Sequence, residues 1–184
     1  MLTQLRQIAK VFAKVAEEED ALLSRLCDKG IFSMPELAYA YDCGKAVMTD
    51  AKGIFGETTV TWRREEKVGL GGPCDLRFEL SSGSHIFVEF KVRSTSDKYL
   101  ADVKKLKELK ITDGDFRIFC ALSDKFTNED IDRRLRTFEE EAREANCKLT
   151  RLHDPFPQFE TRPGKLDCVV AVWLVEGRQD VEPV

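Results

Sequence analysis

The apolar pattern along the chain switches between helical spacing and strand alternation, in the order α-α-β-β-β-α-β-α-β. That order predicts an α/β fold, with a mixed central sheet flanked by helices. A length of 184 residues fits one main core, or one domain with a helical extension, better than two small cores. Apolar residues make up 42% and include twelve Phe, enough burial to offset chain entropy and to exclude intrinsic disorder. The charged fraction of 34% exceeds the typical ~25%, so the surface is heavily solvated. Residues 1–30 read as an N-terminal helical extension and residues 31–184 as the main domain.

Leu2, Leu5, Ile8, Phe12 and Val15, then Leu22, Leu23 and Leu26, lie at helical spacing. Glu17-Glu18-Glu19-Asp20 interrupts them, leaving one long helix over 2–29 or two with a polar joint, ended by Lys29-Gly30. Ser33-Met34-Pro35-Glu36 has the form of a capping box that opens a second helix over 34–48. Glu57 to Lys67 is β-branched and aromatic and predicts a strand, followed by a flexible Gly69-Leu70-Gly71-Gly72-Pro73. Strands are expected over 74–80 and 85–92. Leu100, Val103, Leu106 and Leu109 predict a helix over 97–110, broken by Asp113-Gly114. Phe116 to Leu122 follows as a buried strand, and Thr127-Asn128-Glu129-Asp130 caps a charged helix reaching Asn146. Lys148 to Leu152 is a short strand, and Asp167 to Val175 a final buried one after a loop punctuated by Pro155, Pro157 and Pro163.

No stretch approaches the ~20 apolar residues that cross a bilayer, and the first residues lack a signal-peptide run. A soluble cytoplasmic protein without a membrane partner is expected. Cys27, Cys43, Cys74, Cys120, Cys147 and Cys168 form no CxxC pair and have no His at zinc-finger spacing. They are expected to be reduced, core-filling side chains. The net charge of −4 argues against a uniformly basic nucleic-acid binder. Locally the balance differs: Lys91, Arg93, Lys98, Lys104, Lys105, Lys107 and Lys110 crowd one segment, while 127–146 is mainly acidic. One edge could meet phosphate while the other repels it.

Polar groups concentrate in the hairpin. Cys74, Leu76, Phe78 and Leu80 alternate with Asp75, Arg77 and Glu79, and Ile86, Val88, Phe90 and Val92 with His85, Phe87, Glu89 and Lys91. Ser81-Ser82-Gly83 suits a three-residue loop with Gly in the left-handed position, pairing Leu80 with Ser84. Counting back sets Glu79 against His85, Arg77 against Phe87 and Asp75 against Glu89, with both apolar sets on one side. A one-residue slip would mix the faces. Two carboxylates across a strand pair repel, with Lys91 roughly 6.6 Å further along. Their repulsion is relieved either by Lys91 and Arg77, as a solvated face of alternating charge, or by a divalent cation such as Mg²⁺ or Mn²⁺, for which carboxylates and a nearby backbone carbonyl are suitable hard ligands.

Pro73-Cys74-Asp75, followed after thirteen residues by Glu89-Phe90-Lys91, resembles the PD-(D/E)XK signature of the restriction-endonuclease-like nucleases. The resemblance covers residues 34–122 and implies an α-β-β-β-α-β core. In that family the Asp begins the second core strand, the ExK lies on the third, and a Glu often lies on the first core helix, where Glu36 is similar. Glu36 also shares a stripe with Ala40, Cys43 and Val47, which turns it inward; its other role is the cap with Ser33. The resemblance implies that Asp75, Glu89 and the Phe90 carbonyl hold Mg²⁺, with Mn²⁺ as a substitute. Glu36 holds a second ion or orients a water, and Lys91 positions the attacking water and stabilises charge on the phosphate.

Lys98, Lys104, Lys105 and Lys107 are then candidate backbone contacts, or simply a solubilising helix face. Trp62-Arg63-Arg64 could stack on or neutralise a nucleic-acid strand, or Trp62 packs while Arg63 and Arg64 pair with Glu65 and Glu66. His85 and His153 receive no catalytic role. The leucine stripe of helix 2–29 packs on its own sheet or joins a homodimer. Two functions follow: a metal-dependent nuclease acting on nucleic acid, DNA first, or a non-catalytic interaction or immunity-type protein that keeps the scaffold.

Overall fold

The computed structural model describes residues 1–56, 59–67, 73–129, 132–161 and 166–176. Its helices are α1 (Leu2–Cys27), α2 (Glu36–Thr49), α3 (Ala51–Phe55), α4 (Ser96–Glu108) and α5 (Arg133–Glu144), with a 3-10 turn at Ile31–Ser33. Its strands are β1 (Val60–Lys67), β2 (Pro73–Leu80), β3 (His85–Val92), β4 (Phe116–Phe126), β5 (Lys148–Arg151), β6 (Gln158–Glu160) and β7 (Leu166–Glu176). The seven strands form one mixed sheet in the order β1-β2-β3-β4-β7-β5, with β6 also paired to β7. β3 and β4 are parallel and linked through α4; every other pairing is antiparallel.

The single sheet separates two apolar clusters, one on each face. α1, α2 and α3 cover one face, burying Leu5, Ile8, Phe12, Tyr39 and Val47 with Phe78, Val88 and Phe90 of the sheet. α4 and α5 cover the other, where Tyr99, Phe119, Phe138 and Trp173 form an aromatic group with centroids 5.1–5.9 Å apart. The leucine stripe of α1 packs on its own sheet, while Leu22 and Leu26 stay exposed. Among the described residues no helix is long and apolar enough to cross a membrane.

Hairpin chemistry behaves as the sequence predicts. The Leu80 N–H donates to the Ser84 carbonyl and Gly83 is left-handed at φ 83°. Leu76↔Val88, Arg77↔Phe87 and Glu79↔His85 pair in the expected register. The ladder stops there: Asp75 lies just beyond it, and Cys74 packs in the α4/α5 cluster instead of with Leu76 and Phe78.

Elsewhere local signals are overruled. α1 runs unbroken through the acidic stretch, because Asp20 is buried and its carboxylate accepts the Ile31 N–H at 2.8 Å; a left-handed Asp28 caps the helix. The capping box does not form. The Ser33 hydroxyl donates to the Gly30 carbonyl at 2.7 Å, and Pro35 occupies the cap of α2, leaving Glu36 for another partner. Asp132, not Thr127, caps α5 by accepting the Arg134 and Leu135 N–H groups, so β4 extends to Phe126. β6 arises within the Pro-punctuated loop, and α3 in the stretch between the expected helix 34–48 and strand from Glu57. The Gly69–Gly72 segment lies outside the described residues. All six cysteines are free thiols; Cys27 is exposed and the other five are buried.

Candidate active site

The carboxyl end of the parallel pair β3/β4 is where open α/β sheets usually place a ligand site, and the acids and amines of the chain gather there. Beyond the last hairpin pair, Asp75 accepts the Phe90 N–H through Oδ2 at 2.8 Å. Glu89 is only 5% exposed. Its Oε1 receives the Lys105 ammonium of α4 at 2.8 Å, and the same ammonium donates to the Pro73 carbonyl. Its Oε2 is buried with no hydrogen-bond partner among the described residues.

Two residues on, Lys91 bridges the two helical layers. Its Nζ lies 3.3 Å from Glu36 Oε1 on α2 and 3.2 Å from Asp102 Oδ2 on α4. Glu36 is fixed in turn, because its Oε2 accepts the Val92 N–H at 2.8 Å. The partners therefore differ from those the alternating-charge reading supposes. The direct partners are Lys105 on Glu89 and the Phe90 N–H on Asp75, with Lys91 acting on Asp75 only through its charge, while Arg77 pairs with Glu66 at 3.0 Å and Glu79 at 3.4 Å.

The cluster behaves as one electrostatic unit. Burial, and then the charge of Asp75, push the Glu89 carboxyl up to about 7 despite Lys105. Burial likewise raises Asp75 and Asp102, with Glu36 adding to both. Burial works against the Lys91 ammonium, but Asp102 and Glu36 outweigh it and raise its pKa, so Lys91 stays protonated at neutral pH.

A divalent cation fits the Asp75/Glu89 end of this unit. Glu89 Oε2 is a buried hard donor without a partner, and the mutual repulsion of the two carboxylates is what a cation removes. Among the described residues no three Asp, Glu, His or Cys side chains form a ready-made cage; Mg²⁺ commonly keeps several waters and takes only one or two protein carboxylates.

The remaining candidates divide. Lys98 and Lys104 are exposed, Lys105 belongs to the acid cluster, and Lys107 donates to the Asn146 carbonyl at 2.9 Å. Arg63 pairs with Glu66 at 3.4 Å and Arg64 with Glu65 at 3.8 Å. Arg64 also lies over the Tyr41 ring at 5.2 Å. Trp62 packs so closely on α2 that a Cβ at Gly44 would meet its ring at 2.2 Å. His85 ties its N–H and ring to Asp115. Sequence reasoning misses Asp102 and the inward role of Lys105. Their signal is the spacing Lys98, Asp102, Lys105 along one flank of a helix that begins four residues after β3.

No family model, curated protein or solved structure matches the chain.

Proposed function

We propose that the chain is a divalent-metal-dependent phosphodiesterase acting on nucleic acid, DNA first, with the restriction-endonuclease-like arrangement that its PD-(D/E)XK resemblance implies. The observation that carries the reading is the Lys91 ammonium held between Glu36 and Asp102, in electrostatic contact with an Asp75/Glu89 pair that retains a buried unpartnered oxygen. Asp75, Glu89 and the Phe90 carbonyl would hold Mg²⁺ or Mn²⁺. When bound, the ion supplies a nucleophilic water near neutral pH and positive charge at the phosphate. Lys91 supplies a fixed cation for charge that grows on the phosphate oxygens, and a cation held before reaction needs no reorganisation during it. Glu36 and Asp102 hold that cation in place and keep its proton on Nζ. Lys98, exposed on the flank that carries Asp102 and Lys105, offers a backbone contact.

The test is digestion of plasmid, linear and single-stranded DNA and of RNA with Mg²⁺ or Mn²⁺, by wild type and Lys91→Ala. Cleavage by wild type that disappears in the variant supports the reading; equal activity, or none on any substrate, refutes it. A second reading, a non-catalytic interaction protein on the same scaffold, draws on one observation: the chain already neutralises its own acids through Lys91 and Lys105. Titration with Mn²⁺ separates the two, since only the nuclease reading expects a site that is lost in Asp75→Asn.

A further inference from the structure

The opposite flank of α4 borders a cavity of about 710 Å³ between the carboxyl-terminal ends of α4 and α5. Among the described residues, Lys104, Lys107, Lys110 and Arg117 line it against a single acid, Glu108. Arg117 is the unusual member. It is 5% exposed, its Nε is buried without a partner, and among the described residues no carboxylate lies within ion-pair distance of its guanidinium. Arg117 is a buried cation whose compensation comes only from the Leu109 carbonyl and from Asp115 beyond ion-pair distance, and an incompletely compensated buried cation favours an anion.

Two of the cations meet helix-end carbonyls: Arg117 donates to the Leu109 carbonyl at 2.5 Å and Lys107 to Asn146. Each helix end offers only about half a negative charge. Glu108 in the lining and Asp115, the acid whose charge acts on Arg117, bring the balance down further. It stays positive by about one charge, as the roughly half-charge per helix end implies. The helix-end bonds fix Arg117 and Lys107 in position while leaving the Arg117 Nε donor unused. Leu109, Ile111 and Ala145 add an apolar wall, and the volume falls within the range of small-ligand sites, about 300–1,000 Å³.

We infer that this cavity is a binding site for a small phosphate-bearing anion, with Arg117 as its buried anchor and Lys104 and Lys110 at its exposed rim. The site is separate from the carboxylate cluster, and the inference stands whether or not that cluster cleaves nucleic acid.

Isothermal titration of the full chain with inorganic phosphate, with a 5′-mononucleotide and with a short single-stranded oligonucleotide tests it. One-site binding of phosphate or the mononucleotide is expected. The dissociation constant should rise about tenfold or more in Arg117→Gln, which removes a charge-assisted donor. Because a buried substitution can impair folding, Lys104→Gln/Lys110→Gln serves as the second variant; both positions are exposed, and a rise of about threefold is expected from the rim charges. Equal affinity for phosphate and mononucleotide assigns recognition to the phosphate group alone, and tighter mononucleotide binding adds the apolar wall; both support the site. Silence from phosphate and mononucleotide overturns it, including the case in which only the oligonucleotide binds. Affinity unchanged in the folded double variant also overturns it.

Discussion

The two flanks of α4 carry similar lysines that meet opposite surroundings. On one flank, Asp102 and Lys105 lean toward β3, where every ammonium finds a carboxylate: Lys105 on Glu89, Lys91 on Glu36 and Asp102. On the other, Lys104, Lys107 and Lys110 face Arg117 and helix-end carbonyls, and acids are scarce. The apolar stripe of Tyr99, Val103 and Leu106 divides them. Net charge conceals this division, because the excess acids on one side offset the excess cations on the other. A segment with a simple basic excess in sequence thus separates into an acid-rich flank and a cation-rich flank, divided by the width of one helix.

The sharpest probe of the acid-rich flank is activity. If the cluster hydrolyses phosphodiesters, Lys91→Ala should lower metal-supported cleavage by roughly a hundred- to a thousandfold, the usual loss for a preorganised electrostatic group. Asp102→Asn should lower it less, since Glu36 still holds Lys91.

Next in size is the response to pH of the metal-free chain. Glu89 sits at about 7 when folded, against an ordinary value of 4.5, so between those values the folded state holds a proton that the unfolded state has released. The stability it contributes is complete below about pH 4.5 and is lost as pH rises through about 7, a span of roughly 3 kcal/mol. Urea unfolding in chelator at pH 5.5 and pH 8 should show about 2 kcal/mol of this fall, and Glu89→Gln should flatten it.

Lys105→Met sets the two flanks directly against each other. Stripping the cation from a buried carboxylate should cost about 2 kcal/mol at pH 8, whereas Lys104→Met, one residue away and exposed, should change stability by less than about 0.5 kcal/mol. Equal effects of the two would erase the distinction. Lys105→Met should also tighten Mn²⁺ binding about tenfold, because a competing charge has left Glu89; calorimetry reads that independently of cleavage. The last probe belongs to the other side of the sheet. Gly44→Ala forces a methyl against Trp62 and should cost about 1–2 kcal/mol by overpacking, with no change in metal binding.

The hairpin was legible in sequence because two independent signals agreed. Turn chemistry at Ser81-Ser82-Gly83 and hydrophobic parity select one register, which brings Asp75, Glu89 and Lys91 to one end of the sheet. What sequence could not show was which partner each charge takes. Glu36 lies three residues after Ser33, the spacing of a helix cap, yet the Val92 N–H and Lys91 bring it to the sheet instead. The competition was between a local bond and a buried long-range one, and only tertiary structure decides it. Asp102 and Lys105 were hidden because a periodic helix presents charged residues on both flanks, and sequence does not say which flank turns toward a neighbouring acid. Of the two alternatives at Glu17-Glu18-Glu19-Asp20, one long helix or two with a polar joint, the first is realised for a similar reason: Asp20 gains a buried amide from outside its own helix.

β7 lies between β4 and β5 and also pairs with β6, so the middle of the sheet is completed by one of the last segments of the described chain. Until it has been synthesised, β4 presents an open apolar edge, rich in Phe and Ile, that can pair with any other extended strand. Assembly must therefore wait on long-range pairing, and a nascent or truncated chain lacking residues 166–176 would expose a surface prone to aggregation well before either flank of α4 takes its final form.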